Sequence, residues 1–267
     1  MDRYALTFRI KPASHNAVAE LLADYRAPRL EIDDDTRLLG TAVFASGDVV
    51  VRAVEVLGDL AKVAPHLSRD PAIQQVERAL VPHLADPYDP ADPAARGRFF
   101  AQRLMERVTH RENEVPGDWP TRTRHALKYP IQPGKEEIAT RVMRMAADPP
   151  LRMGGTTLLS TSVFRKEHTI VRIFEIDGTV PELVAGLSES VEVADVGRAM
   201  ANLFAGPYEF TTRDGLDRFF TDNLMTTLTD RTAPAPEAVI RTRAAASRAR
   251  HVVGFRTSAG SHPGERP

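Results

Sequence analysis

"TAVFASGDVVVRAVEVLG", residues 41–58, and "TSVFRKEHTIVRIFEIDG", residues 161–178, carry Thr, Val, Phe, Val, Arg, Glu and Gly at the same places, 120 residues apart. Each holds two alternating apolar runs around a short polar segment, "ASGD" or "RKEH", which is the pattern of a β-hairpin. Extending the comparison at that offset aligns residues 41–105 with 161–225 without a gap, with identity at about 20 of 65 positions, roughly four times the chance level. Pro87-Tyr88 meets Pro207-Tyr208, and the "RFF" and "LM" of 98–105 recur in 218–225. One residue of slippage upstream pairs "YALTFRIKP" at 4–12 with "HALKYPIQP" at 125–133. The chain is therefore a tandem duplication, and a period of about 120 residues is too long for a solenoid and suits two small domains. The boundaries predicted are a first repeat over 1–111, a linker over 112–122, a second repeat over 123–231 and a tail over 232–267.

Within each copy the pattern reads strand, helix, strand, strand, helix, strand. "YALTFRI" alternates as a half-buried strand does, until Pro12 breaks it. "SHNAVAELLADY" spaces Val18, Leu21, Leu22 and Tyr25 as a helix with Ser14 as its cap, and "GKEEIATRVMRMA" does the same with Ile138, Val142, Met143 and Met145. After the hairpin, "DLAKVAPHLSRDPAIQQVERALVPHL" is helical with a break near Pro71, and "RFFAQRLMERVTHR" is taken as the fourth strand. The order β-α-β-β-α-β is that of a ferredoxin-like fold, α+β in class. A four-stranded antiparallel sheet with helices on one face leaves the other exposed, and two such sheets face to face bury both and enclose a barrel-like cavity. Duplication places both sheets in one chain.

In this the sequence resembles the dimeric α/β-barrel superfamily with its two halves fused. More narrowly, "YALTFRIKP", "LLGTAVFASGDVVVRAVEVLGD" and "PHLADPYD…RFFAQRLM" are similar to the SchA/CurD-like family of actinomycete type II polyketide clusters, including those for spore pigments. The resemblance covers about 230 residues and lies in whole segments rather than in a catalytic signature. It implies processing of an aromatic polyketide by oxygenation or cyclisation.

Composition narrows the remaining classes. The chain has 267 residues, 42% hydrophobic and 27% charged, a formal charge of −1 and no cysteine. Disulfides and thiolate metal sites are excluded, and nothing attracts nucleic acid generally. Apolar runs fall short of the roughly 18 residues of a membrane helix, and "MDRYALTFRI" lacks the order of a signal peptide, so no membrane association and a cytoplasmic location are expected. No HExxH or paired metal-ligand spacing appears, "EIDDD" at 31–35 lacks the glycine and distal glutamate of a calcium loop, and "MGGTT" at 153–157 lacks the spacing and lysine of a phosphate loop. No metal, flavin, nicotinamide or nucleotide cofactor is expected.

The repeat also filters candidate site residues. Positions kept in both copies, Arg52 with Arg172 and Glu55 with Glu175, are explained by the common fold, although a cavity-facing arginine would meet a polyketide's phenolates or carbonyls. Tyr88 and Tyr208, with Phe99, Phe100, Phe219 and Phe220, read as core or as ligand wall. Unshared polar residues are where one asymmetric site would arise. His66 aligns with Gly186, His83 with Leu203, His110 with Asp230 and His125 with Tyr4. His66, His83 and His110 are the candidate proton-transfer groups, each with a surface or packed histidine as the alternative. Arg9 and Lys128 on the first strands are candidate cations for an enolate, or else side chains that reach solvent. Trp119, in the linker "ENEVPGDWPTR", pins the chain or roofs the cavity. The tail holds six arginines against two glutamates, reads as partly helical and then disordered, and has the charge to meet an acidic acyl carrier protein or another polyketide synthase enzyme.

The function these features favour is a cofactor-free monooxygenase acting on an aromatic polyketide intermediate. The alternatives are a polyketide cyclase and a non-catalytic scaffold that binds the polyketide for other cyclases.

Overall fold

The fold follows from two hairpins, each closed by a two-residue turn with a left-handed residue at its first position. The structure, a computed structural model, describes residues 2–27, 29–113, 121–146 and 152–232. In the first half, β1 (Asp2–Arg9) leads to α1 (His15–Ala23), the hairpin β2 (Arg37–Ser46) and β3 (Val49–Leu57), the helices α2 (Leu60–Arg69), α3 (Pro71–Leu80) and α4 (Pro93–Arg103), and β4 (Glu106–Glu112). The second half repeats this as β5 (Arg122–Tyr129), α5 (Glu136–Met145), the short β6 (Arg152–Met153), the hairpin β7 (Thr156–Lys166) and β8 (Thr169–Asp177), α6 (Val180–Ser188), α7 (Val191–Met200), α8 (Arg213–Asn223) and β9 (Thr226–Thr232). Gly47 turns the first hairpin at φ +57° and Glu167 the second at φ +50°, a conformation that glycine adopts freely and glutamate seldom does. The break near Pro71 is where expected: Asp70 ends α2 and its carboxylate accepts from Ala72 N at 2.9 Å to start α3.

Two expectations are corrected locally. Ser14 precedes α1 but makes no capping bond, its hydroxyl lying 3.0 Å from His83 Nδ1 instead. "RFFAQRLMERVTHR" is half helix, because Asp92 caps α4 through Ala94 N at 2.8 Å with Pro93 at its first position, and the strand begins only at Glu106.

The two sheets are antiparallel, and each takes its fourth strand from the other half. The orders are β1-β3-β2-β9 and β4-β7-β8-β5. Each crossing strand first touches its own half: Met105 N donates to Ala5 O at 2.9 Å and Met225 N to Ala126 O at 2.8 Å, before β4 pairs with β7 and β9 with β2. The fourth strand therefore does not complete its own half's sheet, as the β-α-β-β-α-β reading expected. It joins the sheets, whose edges also meet at the isolated bridges Leu6–Leu104 and Leu127–Leu224, in one barrel-like arrangement of eight strands.

The barrel encloses packed side chains where a cavity was expected. Ala5, Phe44, Val51 and Met105 of the first half meet Ala126, Phe164, Ile173 and Met225 of the second in one buried cluster. An eight-stranded barrel is about wide enough for side chains to fill, and here this buried cluster packs between the sheets. Helices cover the outer faces: α1 to α3 pack Val18, Leu22 and Val63 into the first-half core, and α5 to α8 pack Met143, Leu183, Met200 and Phe219 into the second.

Candidate functional site

Between the second sheet and its helices lies a cavity of about 140 Å³. Its floor is built by strand alternation, which sends Leu127 and Tyr129 of β5, Arg172 and Phe174 of β8, and Thr109 and Arg111 of the exchanged β4 to the helix side. An irregularity between Leu158 and Ser160 brings Leu158 and Thr161 of β7 to the same side. The roof is apolar, with Met143, Leu183, Val196, Met200 and Leu216, and the wall is aromatic. Phe204 and Phe210 stack at 5.3 Å, and Phe219 tilts against both, at 5.5 and 4.8 Å. Gly197 makes this possible, since a Cβ there would meet Phe210 at 2.1 Å.

The polar end of the cavity is centred on Arg172. Its Nε donates to Tyr129 Oη at 2.8 Å and its Nη1 to Thr161 Oγ1 at 3.1 Å, and among the described residues nothing engages Nη2. Its partners are hydroxyls rather than a carboxylate, so its charge is available to a ligand. Arg111 lies at the same end, with Nη2 donating to Ala146 O at 3.2 Å; burial and then the Arg172 charge push its pKa down. Glu192 stands at the exposed rim, its carboxyl held low first by Ser190. The arrangement can hold an aromatic ring and stabilise negative charge on an oxygen at one end of it.

The first half has the same floor without the space. Arg52 aligns with Arg172 and Thr41 with Thr161, again hydrogen bonded, at 3.4 Å. Here Tyr25 fills the centre: its hydroxyl accepts from Arg52 Nη2 at 2.5 Å, and Arg231 lies over its ring at 4.3 Å. Its equivalent is Ala146, because Arg231 donates to Tyr25 O as Arg111 donates to Ala146 O. Glu77 stands where the second half has Gly197, and Arg96 where it has Leu216; the two pair at 2.9 Å. Burial raises the Glu77 pKa against the opposing charges of Arg96 and Arg52, and among the described residues both its carboxylate oxygens lack a hydrogen-bond partner of good geometry.

A second charged cluster closes one end of the barrel. Arg3 Nη2 pairs with Glu55 at 2.5 Å and reaches Ser160 Oγ at 2.9 Å, while Arg124 lies 3.4 Å from Glu55 and 2.7 Å from Asp230. Glu175 accepts from Arg122 at 2.5 Å. Arg3, Arg124, Glu55 and Glu175 are two symmetry-related pairs from the two halves, at most 3% exposed. Burial opposes the Glu55 charge, yet Arg3 and Arg124 hold its carboxyl at about 2. These groups are packed against one another and tie the two sheets together.

Of the residues singled out by sequence, Arg172 lines the cavity and Tyr208 supports it, with its ring edge on Phe219 at 5.2 Å. Arg52 and Tyr88 occupy the filled first-half face, Tyr88 stacked on Phe99 at 4.4 Å. The candidate bases lie elsewhere. His66 is on α2, 3.1 Å from Arg29 O; His83 is at Ser14; and His110 points into the barrel end, Nδ1 2.8 Å from Ser162 Oγ. His125 stacks on Phe174 at 5.4 Å, and burial pushes its pKa down. The expected cavity cations are also relocated. Arg9 is 70% exposed and pairs with Asp48, and Lys128 alternates with Ala126 and Arg124 on the barrel side of β5. Trp119, most of the linker and the tail from 233 onward lie outside the described residues. Sequence reasoning passed over Tyr129, Thr161, Phe204, Phe210 and Gly197. The signal that marks them is the departure from the first copy at Tyr129/Phe8, Phe210/Pro90 and Gly197/Glu77.

No helix of the described residues is long and apolar enough to cross a membrane. The family described as SchA/CurD like domain matches the chain twice, over residues 1–113 and 122–233. Among curated proteins the chain is similar to "Polyketide synthase CurD" of Streptomyces cyaneus, at 37% identity over 247 residues, 88% of this chain and 65% of that protein. It is 32% identical to "Protein SchA" of Streptomyces halstedii over 236 residues, 87% of this chain and 62% of the other. The chain thus spans about three fifths of the length of these relatives. Among solved structures, a putative monooxygenase of Fusobacterium nucleatum aligns at a TM-score of 0.47 and 10% identity, over 88% of this chain and 95% of its own.

Proposed function

The chain belongs to the SchA/CurD-like family, matched in both of its halves, and we propose that it is a tailoring enzyme of aromatic polyketide assembly, a cofactor-independent monooxygenase of a polycyclic aromatic intermediate. One observation carries the reading: an aromatic-walled cavity that ends in a guanidinium bonded, among the described residues, to hydroxyls alone, Arg172 with Tyr129 and Thr161. A phenolic or anthrone-type ring system fits such a wall, and its oxygen meets Arg172. At about 140 Å³ the cavity has room for roughly one ring, the size class in which an apolar site of ~150 Å³ takes benzene. Further rings of a larger substrate extend through the mouth near Glu192.

The chemistry asked of the chain is modest. Arg172 stabilises the substrate's anion and so lowers the pKa of the proton that must leave, and water at the mouth of the cavity takes that proton, in place of the histidine base expected from sequence. Tyr129 accepts from Arg172 and keeps its own hydroxyl proton to donate to the same oxygen. The resulting electron-rich carbanion reduces dioxygen. For an activated methylene the balance is one methylene and one dioxygen in, one ketone and one water out. Both C–H bonds and the O–O bond break, one oxygen atom forms the carbonyl, and the other leaves as water with the two hydrogens. The dry aromatic wall keeps solvent from the reactive carbon.

The test incubates pure protein with an aromatic polyketide intermediate under air and under nitrogen and follows product mass. A gain of oxygen that requires air is the expected result. Loss of water independent of air makes the protein a cyclase, and no conversion without other enzymes makes it a polyketide-binding scaffold.

A further inference from the structure

Beside the cavity lies a second space, a surface groove of about 350 Å³ formed by α6, α8 and the start of β9. Adjacent residues on the two helices divide between these spaces. Leu183 and Leu216 line the cavity, while Val184 and Asp217, the next residue on each helix, line the groove. Among the described residues Phe220 alone lines both, so a single ring separates them. That ring is 8% exposed and meets Phe174 and Phe219 edge-on, at 6.3 and 6.1 Å. Packing alone holds it, and it can swing without breaking a hydrogen bond. Val184 and Met225 are the buried residues of the groove beside Phe220, and Thr221 and Thr226 stand exposed at its lip.

We propose that this groove is the entrance for dioxygen and that Phe220 is its gate. The proposal rests on reading the cavity as an oxygenase site and adds how the second reactant arrives. One ring fills the cavity of about 140 Å³, and the rest of the substrate occupies the mouth near Glu192, which closes that way in. Neither Glu192 nor Val193 borders the groove, so the groove stays open while the mouth is occupied. A seam of Val184, Phe220 and Met225 side chains offers no hydrogen bond to water or to a charged solute. It passes a small apolar molecule such as dioxygen and keeps the cavity dry. Phe100 is the first-half counterpart of Phe220, and there Tyr25 takes the space over the sheet. The common fold therefore supplies the ring, and the opened half makes it a gate.

The test is oxygen quenching of the fluorescence of 2-naphthol bound to the whole chain, excited beyond the absorption of tryptophan. This probe has no activated methylene to be oxidised. Acrylamide serves as the polar quencher that enters by the mouth. Phe220→Trp is expected to lower the oxygen quenching constant about threefold or more and to leave acrylamide quenching unchanged, whereas Phe220→Ala raises the oxygen constant. If Phe220→Trp does not fold, Thr221→Trp covers the groove from an exposed position that does not line the cavity, with the same fall expected. Independently of any aromatic ligand, xenon under pressure is expected to shift the methyl resonances of Val184, Leu224 and Met225. Oxygen quenching that ignores both tryptophan variants, or that changes together with acrylamide quenching, overturns the proposal. Absence of xenon shifts at the groove methyls overturns it too. Failure of 2-naphthol to bind removes the cavity as a ring site, and the xenon shifts then decide the groove by themselves. Because neither measurement involves turnover, absence of oxygen gain in air removes the oxygenase reading and leaves the gas route as measured.

Discussion

The two helix-covered faces of this barrel started as copies and now differ in what they do with the same arginine. In the first half Arg52 is closed in by Tyr25 and Glu77, and the space is filled. In the second half Arg172 bonds, among the described residues, to Tyr129 and Thr161, and a cavity remains. The arginine and its threonine are shared, so they mark the ancestral fold. What surrounds them differs by three exchanges of a large polar side chain for a small or apolar one: Tyr25/Ala146, Glu77/Gly197 and Arg96/Leu216. A duplicated domain can thus keep one half as a filled, stabilising copy and open the other.

The largest expected effect concerns whether the halves can be separated at all. A fragment of residues 1–112 lacks β9 on the β2 edge and β7 beside β4, so it should aggregate or pair with a second fragment on size-exclusion chromatography. A monomer with a cooperative melt would break the exchanged-strand barrel. Next comes the pair of arginines. Arg172→Gln should lower kcat/KM about 100- to 1,000-fold, the usual cost of removing one donor to a developing oxyanion, while Arg52→Gln should leave turnover within about twofold. Equal losses would mean that the first-half face also takes part in the reaction.

Stability should divide the halves the other way. Tyr25→Ala empties a buried ring site and strips Arg52 and Arg231 of their partner, so it should cost about 3 kcal/mol or more in denaturant unfolding. A change under about 1 kcal/mol would contradict the description of the first half as the filled copy. Acid titration probes the cluster both halves share. Because the folded Glu55 pKa, about 2, lies below its ordinary 4.5, its contribution is present above pH 4.5 and lost as pH falls from there toward 2. Glu55→Gln should flatten the fall of stability in that window, and an unchanged slope would remove Glu55 from the account. Smallest of all, His66→Ala on the α2 surface should change stability by under roughly 0.5 kcal/mol and leave turnover unchanged; a large rate loss would move the proton-transfer site away from the cavity.

The repeat, the hairpins, the helix break at Asp70-Pro71 and the family were all legible in the sequence. They depend on local alternation, on turn and cap residues and on residue-by-residue identity, which tertiary context does not alter. The candidate site was legible only in part. Arg172 was named only together with Arg52, as a shared strand position with no face assigned to it, and Tyr129, Phe210 and Gly197 were missed although each departs from its first-copy counterpart. The histidines were favoured for their pKa range, a property of the isolated side chain that says nothing of where it lies.

What the sequence determined by itself is the existence of two equivalent sheets whose open faces need each other. What only the tertiary structure decided is where the fourth strands go and which space stays empty. Pairing partners of β4 and β9 are chosen by edges brought together in three dimensions, and the same strand pattern is compatible with either sheet. Likewise a cavity is a difference between volumes, set by Tyr25 lying over Arg52 in one half and Ala146 leaving Arg172 uncovered in the other. Neither volume can be read from one chain segment, because each is bounded by four helices and a sheet that includes a strand from the opposite half.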